Sequence, residues 1–148
     1  MRPTKRLILC VEDDDDTCSM LSALLGRVGY EVRTASGVAE GLRSAESGGF
    51  DLYIFDNWFA DGTGLDLCRR IREFDGDTPI LFFSGLAQES DRRSGLDAGA
   101  QGYLVKPNDL EKLVETVARL IGNNDREARS KPAAAGPAYR HRQPAMPR

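Results

Sequence analysis

Apolar residues recur along the chain in two alternating rhythms, short continuous runs followed by longer stretches spaced three and four residues apart. Arg6 to Val11 (RLILCV) reads as a first strand. Thr17 to Val28 then sets Met20, Leu21, Leu24, Leu25 and Val28 on one helical face, and Gly29 ends that helix. Glu31 to Ala35 alternates as a second strand, and Ser36 is expected to cap a short helix carrying Val38, Leu42 and Ala45 as far as the Gly48-Gly49 break. Phe50 to Phe55 suits a third strand buried on both faces. A loop with Asn57, Asp61, Gly62 and Gly64 follows, then a helix with Leu65, Cys68 and Ile71 at apolar spacing. Pro79 to Phe83 forms a fourth strand, entered through a proline where its missing N–H does least harm. Gln88 to Ala98 is a more polar helix, and Gly102 to Val105 makes the fifth strand. Asn108 to Glu111 has the spacing of a capping box, and Leu110, Leu113, Val114, Val117, Ala118 and Ile121 give the last helix its apolar face. Five repeats of strand then helix predict an α/β fold, a doubly wound five-stranded parallel sheet flanked by five helices.

Composition adds a boundary to this picture. The 148 residues suit about one domain, and 41% apolar content supplies a core. No apolar run reaches the length of a membrane span, and MRPTKR leads into the first strand without an apolar signal segment, so the expected location is the cytoplasm. Cys10, Cys18 and Cys68 have no metal-ligand spacing and read as packing residues in a reducing compartment. Residues 123–148 carry a net charge of +4 within a whole-chain charge of −3, which leaves the preceding body at −7. That segment is rich in Pro and Ala and has no apolar period, so residues 1–122 are expected to be the folded domain and 123–148 a disordered basic tail. A solvated extension, rather than an arm that touches nucleic acid, is the expected role of its arginines.

The chemistry collects where the strands end. Asp56 follows the third strand, Glu12 to Asp16 the first, Ser84-Gly85 the fourth and Lys106-Pro107 the fifth. Parallel strands open on one edge of the sheet, which is where folds of this class hold their ligands. Carboxylates from two strands meeting there suit Mg²⁺, a hard cation usually bound by one or two carboxylates with waters and a phosphate. Asp14 to Asp16 read as the acidic first turn of a helix, which leaves Glu12 and Asp13 as the metal candidates.

Taken together, Val11-Glu12-Asp13-Asp14, Asp51 through Asp56, Asp61-Gly62-Thr63-Gly64, Ser84 and Ala98 through Pro107 resemble the receiver domain of two-component response regulators, of the flavodoxin-like fold. The resemblance covers about residues 5–122. It implies a strand order of 2-1-3-4-5, a cis Lys106-Pro107 bond, Asp56 as phosphoacceptor, and Mg²⁺ held by Asp13, Asp56, the backbone carbonyl of Trp58 and, through water, Glu12. It also implies that Ser84 and Lys106 contact the phosphoryl group, that Tyr103 is the switch aromatic, and that a histidine kinase or phosphotransfer protein is the donor. Such a domain is not an enzyme acting on other substrates; it catalyses its own phosphorylation and dephosphorylation. With no second folded domain expected, output through a downstream protein on the fourth helix, fifth strand and fifth helix follows. Phe59-Ala60 stands where receivers commonly carry Leu-Pro, and Trp58 and Leu86 are large apolar residues placed to line the mouth of the site.

Other classes fit less well. A dehalogenase-type phosphatase would need an acid at Trp58, and a nucleotide-binding domain would need a phosphate loop where the acidic run stands. The alternative from another functional class is a degenerate receiver that binds proteins independently of phosphorylation. The complete set of acids, Ser84 and Lys106 argues against it.

Overall fold

The structure is a computed structural model that describes residues 5–130. Strands β1 (Leu7–Val11), β2 (Glu31–Ala35), β3 (Leu52–Phe55), β6 (Ile80–Ser84) and β7 (Gly102–Val105) form one parallel sheet in the order β2-β1-β3-β6-β7. The remaining pair, β4 (Trp58–Phe59) and β5 (Gly62–Thr63), is a two-residue antiparallel ladder inside the loop after β3. Without it the order is the expected 2-1-3-4-5. Helices α1 (Asp15–Arg27), α2 (Val38–Ser47), α3 (Gly64–Arg72), α4 (Glu89–Asp97) and α5 (Leu113–Ser130) complete the alternation.

Side chains of a strand alternate between faces, so a sheet covered on both sides needs two cores. Leu9, Val11, Tyr53, Phe55, Ile80 and Phe82 pack with Leu67, Cys68 and Ile71 of α3 on one face. Ile8, Cys10, Leu52, Ile54, Leu81 and Phe83 pack with Leu21 and Leu25 of α1 and Val117 and Ile121 of α5 on the other. Burial on both faces is what makes these strands read as continuous apolar runs.

Several element ends differ from expectation for identifiable reasons. On α1 only Leu21 and Leu25 are buried. Met20 stands about 100° around the helix from Leu21 and is half-exposed, and Val28 is the C-cap, already out of helical geometry. Ser36 does not cap α2: Gly37 holds that position, and the Ser36 N–H and hydroxyl both donate to Glu40. Instead, Asp61 reaches across from the loop after β3 and accepts from the N–H groups of Val38 (2.8 Å) and Ala39 (3.0 Å). A Cβ at residue 37 would lie 2.5 Å from its Oδ1, so a larger residue there would have to displace the Asp61 cap. The expected capping box at Asn108 to Glu111 does not form. Asp109 instead accepts from Val105 N–H, and a single 3-10 turn (Leu110–Lys112) leads into α5.

Helix α5 also runs past the expected end of the domain at residue 122, to Ser130. Once its first turns are packed, each further residue adds a hydrogen bond at little cost. Arg6 anchors the extension by donating to both oxygens of Asp125, at 3.1 and 2.7 Å. Residues 123–130 are therefore helix and not tail, and the rest of the expected tail, 131–148, lies outside the described residues.

Asp61→Ala is expected to lower the melting temperature at neutral pH by several degrees. The N–H groups of Ala39 and then Val38 hold the Asp61 carboxyl below its usual value. Its contribution is thus present above the unfolded pKa of about 3.9 and fades as pH falls through the lower folded value. Melting curves of both proteins from neutral pH into acid should converge; a gap that stays constant would show that Asp61 acts by packing alone.

Candidate functional site

Each site residue is fixed through its own backbone before its side chain is considered. Glu12 N–H continues the β1–β2 ladder to Ala35 O (2.9 Å), and Asp56 N–H continues the β1–β3 ladder to Val11 O (3.1 Å). Lys106 N–H does the same from β7 to Ser84 O (2.8 Å), and the Lys106-Pro107 bond is cis, as expected. Cys18 on α1 donates its thiol to Glu12 O at 3.4 Å, so the cysteine ties the helix to the end of β1. The loop after Asp56 turns back at once, because Gly64 N–H donates to Asn57 O (3.0 Å) and Thr63 caps α3 through Asp66 N–H. Any side chain at position 64 would lie 2.2 Å from Asp56 O. Gly64 is the residue that lets α3 begin against the acid.

Oxygens of Glu12, Asp13 and Asp56 lie within 4.8 Å of one another, with Glu12 buried, Asp56 half-buried and Asp13 exposed. Three hard oxygen donors converging at this spacing fit a Mg²⁺ site. Lys106 closes the cluster with its ammonium 2.9 Å from Glu12 Oε1 and 3.5 Å from Asp56 Oδ2. Burial pushes the Glu12 carboxyl up, and the Asp56 charge adds to that; the bond from Lys106 opposes both without overcoming them. For Lys106 burial alone would favour the neutral amine, but the Glu12 bond and the Asp56 charge outweigh it and hold the ammonium above its usual value.

Ser84 and Tyr103 belong to the neighbouring strands and meet elsewhere. Ser84 is fully buried, and its Oγ accepts from Leu86 N–H at 3.1 Å. The Tyr103 hydroxyl donates to Leu86 O at 2.9 Å, and its ring stacks on Phe82 at 5.7 Å between centroids. Both switch candidates therefore grip one peptide segment, at Leu86, that the sequence marked only as apolar. Trp58 is 60% exposed on its two-residue strand.

Chain-wide comparison settles the kinship of this arrangement. Residues 8–118 match the family model of the response regulator receiver domain. The chain belongs to that family. As a receiver it is similar to the transcriptional regulatory protein PrrA of Mycobacterium tuberculosis, at 37% identity over 118 residues, covering 80% of this chain and 51% of PrrA. The uncharacterized transcriptional regulatory protein YkoG of Bacillus subtilis is 32% identical over 117 residues, which cover 79% of this chain and 51% of YkoG. The receiver thus spans about half the length of these relatives. Among solved structures, a CheY-like receiver domain protein from Methanospirillum hungatei has a TM-score of 0.79 at 27% identity, covering 84% of this chain and 99% of that one. A response regulator from Chloroflexus aurantiacus has a TM-score of 0.76 at 32% identity, with 80% and 99% covered. Phosphorylation-dependent two-component signalling is the function class of such a receiver. Among the described residues no helix is long and apolar enough to cross a membrane.

Proposed function

We propose that this receiver accepts a phosphoryl group on Asp56 from a histidine kinase or phosphotransfer protein and then signals by contact with another protein. The observation that carries this reading is the convergence of Glu12, Asp13 and Asp56 beside the Lys106 ammonium. Glu12, Asp13, Asp56 and the carbonyl of Trp58 would hold Mg²⁺, Glu12 through water. Bound there, the cation offsets the negative charge of the phosphoryl oxygens. An oxygen of Asp56 attacks phosphorus while the bond to the donor atom breaks, the donor keeps that electron pair, and Asp56 becomes an acyl phosphate. Lys106, already between Glu12 and Asp56, pairs with the new oxygens as a point charge. Ser84 donates its hydroxyl to the phosphoryl group once it releases Leu86, and Tyr103 carries that change to the face of α4, β7 and α5, where the downstream protein docks. The domain thereby catalyses its own modification and its reversal. Its three cysteines are free thiols, in keeping with a cytoplasmic setting.

Because the chain supplies the catalytic groups, acetyl phosphate with Mg²⁺ should suffice to add one phosphoryl group to the full chain, read by intact mass. Chelation of the metal should prevent it. A chain that stays unlabelled with Mg²⁺ present would overturn the proposal.

Mg²⁺ should also stabilise the fold, since it binds a cluster that otherwise repels itself. At a concentration a hundredfold above its dissociation constant the gain is about 2.7 kcal/mol. Asp13 is exposed, so Asp13→Ala should barely disturb the metal-free protein while removing most of the Mg²⁺-dependent rise in melting temperature. A melting temperature of the wild type that ignores Mg²⁺ would count against the site.

A further inference from the structure

Helix α5 leaves the body of the domain before it ends. It begins near the edge that carries Asp56 and Lys106 and runs back to the opposite edge of the sheet, where Arg6, before β1, pairs with Asp51, before β3, and with Asp125 of the helix. Its 18 residues make it about 27 Å long. Ile121 is its last buried residue, and Arg126, Glu127, Ala128, Arg129 and Ser130 are all exposed, so the final turn stands in solvent on every side. Arg126 donates to Asn123 Oδ1 and the Ser130 hydroxyl to Glu127 O, bonds within the helix that need no packing against the domain. Sequence alone left the arginines after residue 122 in a solvated tail. The structure sets the first two of them on a projecting helix.

Charge at this end is one-sided. At about 100° per residue, Arg119, Arg126 and Arg129 lie within about 80° of one another around the helix, while Glu127 lies about 100° from Arg126. None of the three arginines forms an ion pair among the described residues. Residues 126–148 hold six cations, Arg126, Arg129, Lys131, Arg140, Arg142 and Arg148, against one acid, Glu127, a net of +5 that leaves residues 1–125 at −8. Glu12 to Asp16 and Asp56 stand at the other edge of the sheet, so the molecule has an anionic pole at the site and a cationic one where α5 ends.

From this polarity we infer that the end of α5 and the basic segment after it bind duplex DNA through its phosphates, without reading its sequence. An arginine fork grips a phosphate with two bonds, and five of the six cations are arginines. A helix of ~10–12 Å diameter, exposed on all sides, fits the B-form major groove of about 12 Å, whereas the major groove of an RNA duplex is too deep and narrow to be read by side chains. Single strands are held by successive stacking rings, and residues 126–148 offer Tyr139 and His141 alone. Their large apolar residues are Tyr139 and Met146, too few for a face that enters a bilayer. Repulsion by the phosphates turns the anionic edge outward, so the bound receiver keeps Asp56 accessible. This attachment goes beyond the phosphoryl chemistry and does not depend on it.

Fluorescence anisotropy of a short labelled DNA duplex, titrated with the full chain, tests this. Affinity should be in the micromolar range at ~50 mM salt and about 100-fold weaker at ~200 mM, as roughly four phosphate contacts require. A duplex of shuffled sequence should bind within ~2-fold of the first, and an RNA duplex, a single strand, and vesicles of phosphatidylcholine with phosphatidylglycerol each at least ~5-fold more weakly. Arg126→Glu with Arg129→Glu should lose at least ~10-fold and flatten the salt dependence, while Arg92→Glu with Arg93→Glu, the same charge change on α4, should lose less than ~3-fold. All four side chains are exposed, so both double variants should melt as the wild type does. A duplex left unbound at ~50 mM salt, a preference for RNA, single strands or vesicles, or equal losses in the two double variants would overturn the inference.

Discussion

Asp56→Asn should leave the full chain unlabelled by acetyl phosphate and Mg²⁺, below ~1% of the wild-type signal, because a carboxamide cannot form the acyl phosphate. The substitution isolates that chemistry. Asp56 Oδ1 accepts from Asn57 N–H at 2.7 Å, and the side-chain carbonyl of asparagine can keep that bond. Removing one charge from the Glu12, Asp13 and Asp56 cluster also relieves repulsion, so the variant should melt no lower than the wild type. Loss of label with an intact melting curve is the expected pair of results. Label that survives would move the acceptor to another acid, with Asp13 the nearest alternative.

Lys106→Met should destabilise the metal-free fold by about 3 kcal/mol, the low end for breaking a buried pair. Glu12 is only 4% exposed and loses its 2.9 Å partner, while Asp56 remains close enough to repel it. The low end applies because the Lys106 side chain is 22% exposed and water has some access from that side. Most of the loss belongs to the stranded carboxylate, since methionine replaces much of the aliphatic stem and the ammonium lies a full 5.8 Å from the Phe83 ring centroid. Adding Glu12→Gln to Lys106→Met should therefore recover more than half of the stability, a coupling that a double-mutant cycle in urea reads directly. If the double variant is as unstable as the sum of the two single ones, the pair is not what Lys106 contributes.

The fold was legible because its signals are local and redundant. Continuous apolar runs at β1, β3 and β6 follow from burial on both faces, and Gly29 and Gly48, both at positive φ, mark helix ends in the sequence as they do in the structure. Helix starts were harder to read. Ser36 and Asn108 had the right chemistry for caps, yet Asp61 caps α2 from 22 and 23 residues away and Asp109 turns back to β7. A cap of that kind has no fixed spacing along the chain. Asn57 is a similar case: it reads as a loop residue but is buried, with Oδ1 lacking a protein partner among the described residues, and no pattern in its neighbours announces this.

By itself the sequence determined the alternation of strand and helix, and with it the edge where Glu12, Asp13, Asp56, Ser84 and Lys106 open, because parallel strands of one hand end on one side. Only the tertiary structure decided which of these residues touch. Lys106 bonds to Glu12 more closely than to Asp56, Ser84 and Tyr103 meet at Leu86, and Arg72 of α3 holds the end of α4. Periodicity assigns a residue to a face or a strand end. Which side chain then wins a given donor or acceptor depends on distances between segments far apart in sequence, and those are set by the packing of the whole domain.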